Sequence, residues 1–482
     1  MAVNLIRNAR VFVLTGAAAA VANAAAYVGA TFAGINAADT YEVQVLNGIT
    51  FSQTTNTQNI TLNEAGPVPT RGQRAFNTAL NAADFSFSTY MRPEVNTGLV
   101  SAAEKSLWNA LLSPNVIPTA MATTPPGIAY TAGTGILTVT AASGITNALP
   151  IGTYVSITGF KGTNLDFNGV IQLTAISSGT LLTGKYLNKP SSTFAAPTYA
   201  DVKLYNGPGW AAGVGVTNTA ASCATIATLG TDVHQLQNIA LMIVADSEAY
   251  IFKNAALDQA TIDFGVDAIS IVAWTGKSTQ IITSNVTPGL STLGTSVTTG
   301  TATLLGYTSV NLGANWIQNK LSTTTLISNI GGVAGTSYTL PLTGGTISIN
   351  NNLNYKIPEN LGVVNLPIGY TTGTRAISGN FTAYLRTGTA GDAGALLDYM
   401  TTNIATSSET KYRLQIEIGG VTNGNRVEVE MDGAMLSVPT IDAQDVISTN
   451  IAFVAQGTDQ LATTPNYDLT IPNELTVRYF SI

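Results

Sequence analysis

The sequence contains few charged side chains. Only 10% of its 482 residues are Asp, Glu, Lys or Arg, against roughly 25% in an average soluble domain, although the apolar share is an ordinary 45%. Charged side chains keep soluble proteins apart, so a surface this poor in charge is typical of a protein whose faces are covered by copies of itself. The net charge of −7 also argues against a nucleic-acid-binding surface, which needs clustered Lys and Arg.

Residues that commonly carry chemistry are also scarce. The chain has one cysteine, Cys223, and one histidine, His234, which excludes a disulfide framework and a Cys/His zinc site. No serine stands in a G-x-S-x-G motif, and a triad would have to be built around His234 without suitable neighbours. The segment 274–278 ends like a phosphate-binding loop, but Ile271 occupies the position of that motif's first glycine. We therefore predict no enzyme, and no catalytic, cofactor-binding or metal-binding residues.

Long apolar runs are nearly absent as well. The exception is the uncharged segment 11–34, which follows Arg7 and Arg10. It has some features of a secretory signal, with Ala22-Asn23-Ala24 as a cleavage site, or of a poor membrane span. Because the run is mostly Ala and Gly, which are weakly hydrophobic, we expect neither, and predict no membrane span.

Most of the chain alternates apolar and polar residues with the period of two that is typical of strands. In 83–90 this places Phe85 and Phe87 on one face, and 413–418 and 426–432 alternate in the same way. Two segments predict helices. The first is 101–112, with Ser101 as N-cap and Glu104 completing a capping box; the second is 392–404. The composition and pattern predict a mainly β protein.

One order of landmarks occurs twice. Arg74-Ala75-Phe76, an alternating strand, a helix and Thr261-Ile262-Asp263 in the first half correspond to Arg375-Ala376-Ile377, a strand, a helix and Thr440-Ile441-Asp442 in the second. This predicts an internal duplication. A long segment of short strands separates the first helix from its next strand, which predicts an inserted small β-sandwich or barrel. The predicted domains are 1–114 with 216–285 (first unit), 115–215 (insertion), and 286–482 (linker arm and second unit).

Several short sequence segments resemble segments of bacteriophage tail tube proteins. They are 5–12, 360–364 leading through Pro367 and Gly369 to 378–382, and 439–442 followed by 451–453. The resemblance implies two β-sandwich or barrel units, each with a flanking helix, whose strands close with those of neighbouring subunits into a β-barrel ring. The small β domain would project outside. Family members usually form hexameric rings of single units, so two units in one chain imply a homotrimeric pseudo-hexamer.

The resemblance also implies a role. Stacked rings would form the tail tube, the conduit for ejection of double-stranded DNA, in a virion tail assembled in the bacterial host cytoplasm. The implied partners are other copies in the ring and stack, a tape-measure protein and transiting DNA in the lumen, tail terminator and distal tail or baseplate proteins, and a sheath if the tail is contractile. No cofactor is implied. The alternative class is a cell-surface β-structured adhesin or surface-layer protein, which shares the low charge and the richness in Thr, Asn and Gly.

A tube that passes DNA without gripping it needs an acidic lumen, because like charges repel over a Debye length of about 8–10 Å. The polar sides of the alternating strands supply the candidates. They are Glu417, Glu428, Glu430 and Asp432 in the second unit, and Asp246 and Glu248 in the first.

Overall fold

The structure is a computed structural model of the whole chain. It describes residues 9–24, 39–60, 74–96, 99–112, 119–123, 127–140, 151–152, 154–158, 160, 164, 167–177, 181–186, 194, 202–206, 209–211, 222–227, 236–245, 248–266, 268–284, 316–328, 336–361, 364–386, 393–404, 411–419, 425–438, 440–443, 447–457 and 474–481.

The described residues form a mainly β architecture. In the first half the elements are β1 (Arg10–Leu14), α1 (Gly16–Ala24), β2 (Thr40–Val43), β3 (Thr50–Ser52), β4 (Thr55–Ile60), β5 (Arg74–Leu80), β6 (Ala83–Tyr90), β7 (Pro93–Asn96), β8 (Leu99–Ala102), α2 (Lys105–Leu112), β9 (Thr119–Thr123), β10 (Gly127–Thr131), β11 (Ile136–Thr140), β12 (Tyr154–Thr158), β13 (Gly169–Ser177), β14 (Leu181–Tyr186), β15 (Lys203–Asn206), β16 (Gly209–Ala211) and β17 (Ser222–Ala227). The remaining elements are β18 (Ile239–Ala245), β19 (Glu248–Asp263), β20 (Ile271–Ser278), β21 (Gln280–Ser284), a 3-10 helix (Asn319–Leu321), β22 (Thr323–Ser328), β23 (Ser337–Leu340), β24 (Leu342–Asn350), β25 (Asn354–Lys356), β26 (Gly369–Thr371), β27 (Ala376–Tyr384), α3 (Ala393–Ile404), β28 (Lys411–Ile418), β29 (Arg426–Leu436), β30 (Thr440–Ala443), β31 (Ile447–Gln456) and β32 (Thr476–Ser481).

The same strand connectivity occurs twice. In what we call unit one, antiparallel pairs join β1 to β2 and β18, β19 to β18, β20 and β21, and β6 to β20 and β3. In unit two, the corresponding pairs join β22 to β23 and β28, β29 to β28, β31 and β32, and β27 to β31 and β24. Helix α2 lies between β6 and β18 in the chain, and α3 between β27 and β28. This repeated connectivity agrees with the predicted duplication.

Irregularities repeat as well as regular pairs. The β18–β19 register shifts between Ile239 and Leu241, and the β28–β29 register shifts at the corresponding place, between Tyr412 and Leu414. The predicted landmark also coincides, because Thr261-Ile262-Asp263 pairs with β20 as Thr440-Ile441-Asp442 pairs with β31. The other landmark does not. Arg74-Ala75-Phe76 lies in β5, which forms a separate hairpin with β4, whereas Ala376 begins β27.

A pair of phenylalanines marks the duplication at atomic detail. In unit one Phe85 of β6 faces Gly276 of β20, and in unit two Gly379 of β27 faces Phe453 of β31. The phenylalanine is on the first strand of the pair in unit one and on the second strand in unit two. In both units, one aromatic ring packs over a glycine, which has no side chain. Both rings are buried, so only one side chain fits at this level of each core.

The strands β9 to β15 form a separate seven-stranded sheet, which we call the small domain. Its hydrophobic cluster, around Phe160, Phe167 and Ile171, shares no residue with the cluster of the two units. Within this domain the side chain of Asn168 is bonded to the backbone of Phe160, since its Nδ2 donates to Phe160 O at 2.8 Å and its Oδ1 accepts from Phe160 N at 2.9 Å. The sheet lies within the predicted range 115–215, although the domain boundaries stay predictions.

Helix α1 and the start of α2 differ from the predictions. The alanine-rich segment forms α1, whose Ala18, Ala19 and Ala22 pack on β18 and β19, because methyl groups allow close approach to a sheet. No helix in the described ranges has both the length and the apolar character needed to cross a membrane. The predicted N-cap was wrong, since Ser101 lies in β8 and α2 begins at Lys105.

The described sheets are open and not closed barrels. The strands of units one and two belong to one network of 19 strands, which also includes β16 and β17. Closure into a ring therefore depends on contacts beyond one chain and stays a prediction.

Candidate assembly interface

The two units are joined by a strand ladder. The second half of β19 pairs with β24, from Gln259 opposite Asn350 to Asp263 opposite Thr346. The ladder continues at both ends, where Asn351 N donates to Asp258 O at 2.8 Å and Phe264 N donates to Gly345 O at 3.1 Å. In the middle of this ladder, Ile262 faces Ile347, and both side chains are fully buried. We call this contact the internal joint.

Helix α2 completes the internal joint. Its Trp108 packs edge-on against Trp274 of unit one, with ring centroids 5.0 Å apart, and donates from Nε1 to Tyr479 Oη of unit two at 2.8 Å. The Tyr479 hydroxyl donates in turn to Glu104 Oε1. The helix therefore contacts both units, which is why its side chains Ser106, Leu107, Trp108, Ala110, Leu111 and Leu112 are all buried.

Glu104 is a carboxylate inside this joint. It is only 1% exposed, and its Oε2 has no hydrogen-bond partner. Burial raises the pKa of Glu104 to about 7, against the opposing effects of the Tyr479 hydroxyl and of the Arg92 charge. The sequence assigned this residue to a capping box, a local role, whereas its hydrogen-bonded partner lies 375 positions away in the chain.

The positions that meet in the internal joint recur once more in the chain, on β3 of unit one and β30 of unit two, where they are less buried. By the duplication, Ile441 of β30 corresponds to Ile262 of β19, and Phe51 of β3 corresponds to Ile347 of β24. Ile262 is fully buried, but Ile441 is 52% exposed, and Phe51 is only partly buried between exposed Thr50 and Ser52. Among the described strands, β30 pairs only with β31 and β3 only with β6. Each half of the internal joint thus recurs as a strand with one edge unpaired among the described strands.

The helices show the same asymmetry. Helix α3 lies between β27 and β28 in the chain as α2 lies between β6 and β18, yet it leaves Asp398 and Tyr399 exposed, with Tyr399 at 37%. Its Leu396 and Met400 are buried on the side that faces unit two. Helix α2, in contrast, is covered by residues of both units. Exposed apolar edges of this kind invite pairing with another chain.

The predicted lumen residues fall in three groups. Glu417 is half-buried beside Thr323, whose Oγ1 donates to it at 3.0 Å, and it faces Glu428 across the ladder. Glu428 and Glu430 are 5% and 4% exposed and bind Arg478. Asp246 lies outside the described residues, and the side chains of Glu248 and Asp432 lie outside them too. The lumen assignment stays a prediction, and for Glu428 and Glu430 it would require exposure that this chain alone does not give them.

Two arginines of this cluster were missed by the sequence analysis. Arg478 Nη2 donates to Glu430 Oε2 at 2.6 Å and to Glu428 Oε1, while Arg413 Nε donates to Glu430 Oε1 at 2.7 Å. Burial raises the pKa of Glu428, the Glu430 and Glu417 charges act in the same direction, and Arg478 opposes them. Within the described residues, no group of three or more His, Cys, Asp and Glu side chains is arranged to hold a metal ion.

Comparison with known proteins gives a relative over nearly the whole chain. The tail tube protein pb6 of Escherichia phage T5 is 24% identical over 463 residues, which are 95% of this chain and 74% of that protein. This chain is homologous to a phage tail tube protein. The alignment runs through both units and the small domain, so the relationship is not confined to the short phrases that first indicated it.

Two other comparisons are less informative. No protein-family model matches the sequence. Among solved structures, 27% of this chain aligns with 86% of a chain in the cryo-EM structure of the anti-feeding prophage baseplate, 6-fold symmetrised, at 9% identity and a TM-score of 0.19. A similarity at that TM-score supports no conclusion about the fold.

Proposed function

We propose that this protein is a structural, non-enzymatic subunit of a phage tail tube, and that three chains close into a pseudo-hexameric ring. The observation that carries the proposal is the contrast between Ile262 and Ile441. These two residues occupy the same position of the repeated fold. Ile262 is fully buried where the two units meet inside the chain, whereas Ile441 is 52% exposed at the edge that would contact the next chain. The homology to a tail tube protein supports the same role.

In the proposed ring, each contact between chains repeats the internal joint. The β30 edge of one chain pairs with the β3 edge of the next, so that Ile441 faces Phe51 as Ile262 faces Ile347. Position 439 is a proline in the place of Ala260, so this ladder would hold one hydrogen bond fewer than the internal one. The ring leaves no open strand edge at these sites.

The wider role follows from the tube. Stacked rings would form the conduit for double-stranded DNA in the virion tail, after assembly in the host cytoplasm, and the lumen would first hold a tape-measure protein. Tail terminator, distal tail and sheath proteins are the other proposed partners. The six acidic candidates for the lumen remain part of this proposal; among those whose side chains are described, Glu417 is half-buried and Glu428 and Glu430 are buried.

A disulfide between chains tests the ring contact. Thr261 and Ser348 form a pair without direct hydrogen bonds in the internal ladder, because hydrogen-bonded and non-hydrogen-bonded pairs alternate from Asp258–Asn351 to Phe264–Gly345. Such pairs bring Cα atoms to about 4.5 Å, a separation at which a disulfide can form. The equivalent residues between chains are Thr440 and Ser52. With Cys223→Ser as background, Thr440→Cys with Ser52→Cys should give covalent dimers and trimers on oxidation. No covalent species larger than the trimer should appear on a non-reducing gel.

Two matched variants control this experiment. Thr261→Cys with Ser348→Cys should close within one chain and leave its mass on a non-reducing gel unchanged. Thr440→Cys with Thr50→Cys shifts the register by two residues and should cross-link poorly. If the internal control closes while the Thr440 and Ser52 pair stays monomeric in assembled protein, the proposed contact is wrong. Covalent species larger than the trimer would instead contradict the three-chain ring.

A further inference from the structure

A short stretch of chain before β22 connects the two units beside the internal joint. We call residues 316–322 the bridging segment. On the side of unit one, Asn319 N donates to Ala268 O at 3.2 Å. On the side of unit two, Ser322 Oγ accepts a hydrogen bond from Gly419 N at 3.3 Å. The bridging segment is therefore bonded to both units and forms part of the contact between them.

Trp316 of the bridging segment covers the end of β6 in unit one. Its ring meets the ring of Tyr90 edge-on, with the centroids 4.9 Å apart. Arg92 lies over the same indole, with its Cζ atom 4.9 Å from the ring centroid, and is only 6% exposed. Edge-to-face aromatic pairs and cations over an indole ring are both attractive arrangements. The bridging segment thus supplies an aromatic cover for a tyrosine and an arginine of unit one.

Unit two carries the same two side chains in an exposed position. Tyr90 and Tyr384 are the last paired residues of β6 and β27 in their ladders with β20 and β31. Two residues further on, Arg92 O and Arg386 O each accept a hydrogen bond from a backbone N–H near the start of α2 and α3, at 3.0 Å and 2.9 Å. Whereas Arg92 is buried, Arg386 is exposed, and Tyr384 is 46% exposed. We call Tyr384 and Arg386 the exposed pair.

The duplication also identifies the counterpart of the bridging segment. Arg10 of β1 and Thr323 of β22 lie opposite corresponding residues of β18 and β28, each three positions beyond the register shift. Residues 3–9 therefore precede β1 as the bridging segment precedes β22, and Val3 takes the sequence position of Trp316. In the proposed ring, unit one of the next chain stands beside unit two as the two units stand at the internal joint. This arrangement would bring the segment before β1 of the next chain to the exposed pair.

We propose that residues 3–9 of the next chain cover Tyr384 and Arg386, so that a second copy of this chain is the partner of the exposed pair. The surface suits aliphatic side chains, because Ile447 at the start of β31 lies beside it and is 45% exposed. Exposed apolar surface around an aromatic ring is typical of contacts between proteins. The segment offers three aliphatic side chains, Val3, Leu5 and Ile6. This inference rests on the proposed ring and names the segment that completes its contact.

Photo-cross-linking of the assembled, full-length protein tests this contact. Tyr384→p-benzoylphenylalanine places a light-activated group on the exposed pair, where it attaches to the side chain that lies against it. We expect irradiation to give covalent dimers and trimers on a denaturing gel, and mass spectrometry to locate the attachment within residues 3–9 of another copy. Tyr90→p-benzoylphenylalanine is the matched control, which should attach to the bridging segment of its own chain and keep the monomer mass. Should the Tyr384 variant fail to assemble, Arg386→p-benzoylphenylalanine samples the same surface and should give the same product.

The disulfide between Thr440→Cys and Ser52→Cys, measured on the same assembly, separates this inference from the ring itself. If the disulfide forms while the variants at 384 and 386 give only monomers, the ring stands and the inference is overturned. Attachment to another segment of the neighbouring copy, or to residues 3–9 of the same chain, would overturn it as well. If the disulfide does not form, the proposed ring is wrong and the contact with residues 3–9 falls with it.

Discussion

Gly379→Ala is expected to destabilise unit two by about 3 kcal/mol, the upper part of the range for an overpacked core. Gly379 lies in β27 between Ile347 of β24 and Phe453 of β31. A Cβ atom at this position would stand 2.6 Å from Phe453 Cζ and well inside contact distance of Thr346 O. The carbonyl is held by the β24–β27 ladder and the ring is 1% exposed, so neither neighbour can move away without breaking pairs. Urea unfolding followed by circular dichroism measures the loss.

Two glycines calibrate this prediction. Gly369→Ala, where a Cβ atom would meet nothing within 4 Å, should change the unfolding free energy little. Gly276→Ala should behave like Gly379→Ala, because a Cβ atom there would lie 2.6 Å from Ala256 O and closer still to the ring of Phe85. If Gly379→Ala and Gly369→Ala had the same small effect, the strand pairing around Gly379 would have to be wrong.

Glu104→Gln is expected to stabilise the protein at alkaline pH and to change it little in acid. Burial raises the pKa of Glu104 from 4.5 to about 7. For a raised pKa of an acid, the stabilising contribution is full below the unfolded value and is lost as the pH rises through the folded value. The protein should therefore lose up to about 3 kcal/mol of stability between pH 4.5 and 7 at 1.36 kcal/mol per pKa unit. The neutral amide of Gln avoids that loss and keeps an acceptor for the Tyr479 hydroxyl.

The measurement compares unfolding free energies at about pH 5 and about pH 8, on either side of the titration. The unchanged protein should be less stable at the higher pH, and Glu104→Gln should remove most of this difference. Glu359→Gln alters an exposed carboxylate and is the control that should leave the difference in place. A pH dependence that survives in Glu104→Gln would mean that another group is responsible, and Glu428, whose pKa is also raised by burial, would be the first candidate.

The local pattern predicted individual strands well. The strand expected at 83–90 is β6 with the same bounds, and Phe85 and Phe87 are buried as the alternation requires. The strand at 413–418 buries Leu414, Ile416 and Ile418 on one side, and the second helix lies where it was expected. These features depend on period and side-chain type, which any short window of sequence contains.

Predictions that required a distant partner were less successful. Ser101 and Glu104 satisfy the spacing of a capping box, but the Glu104 side chain is hydrogen-bonded to Tyr479 and the helix starts later. The segment 11–34 looked like a weak apolar run, although part of it is α1 packed on a sheet. In each case the competing interaction comes from residues far away in the chain, so no local pattern could contain it.

The sequence alone determined that this is a low-charge β protein with an internal duplication, because strand alternation and repeated landmarks depend only on the order of the residues. Only the tertiary structure decided which edges and faces of the two units are used. Ile262 and Ile441 follow the same sequence pattern, yet one is buried at the joint and the other is 52% exposed. Alternation assigns Glu428 and Glu430 to one side of a strand, but only packing shows Arg478 on that side. The two-residue period of a strand determines on which face a side chain lies. Whether that side chain is buried depends on which other parts of the chain pack against that face.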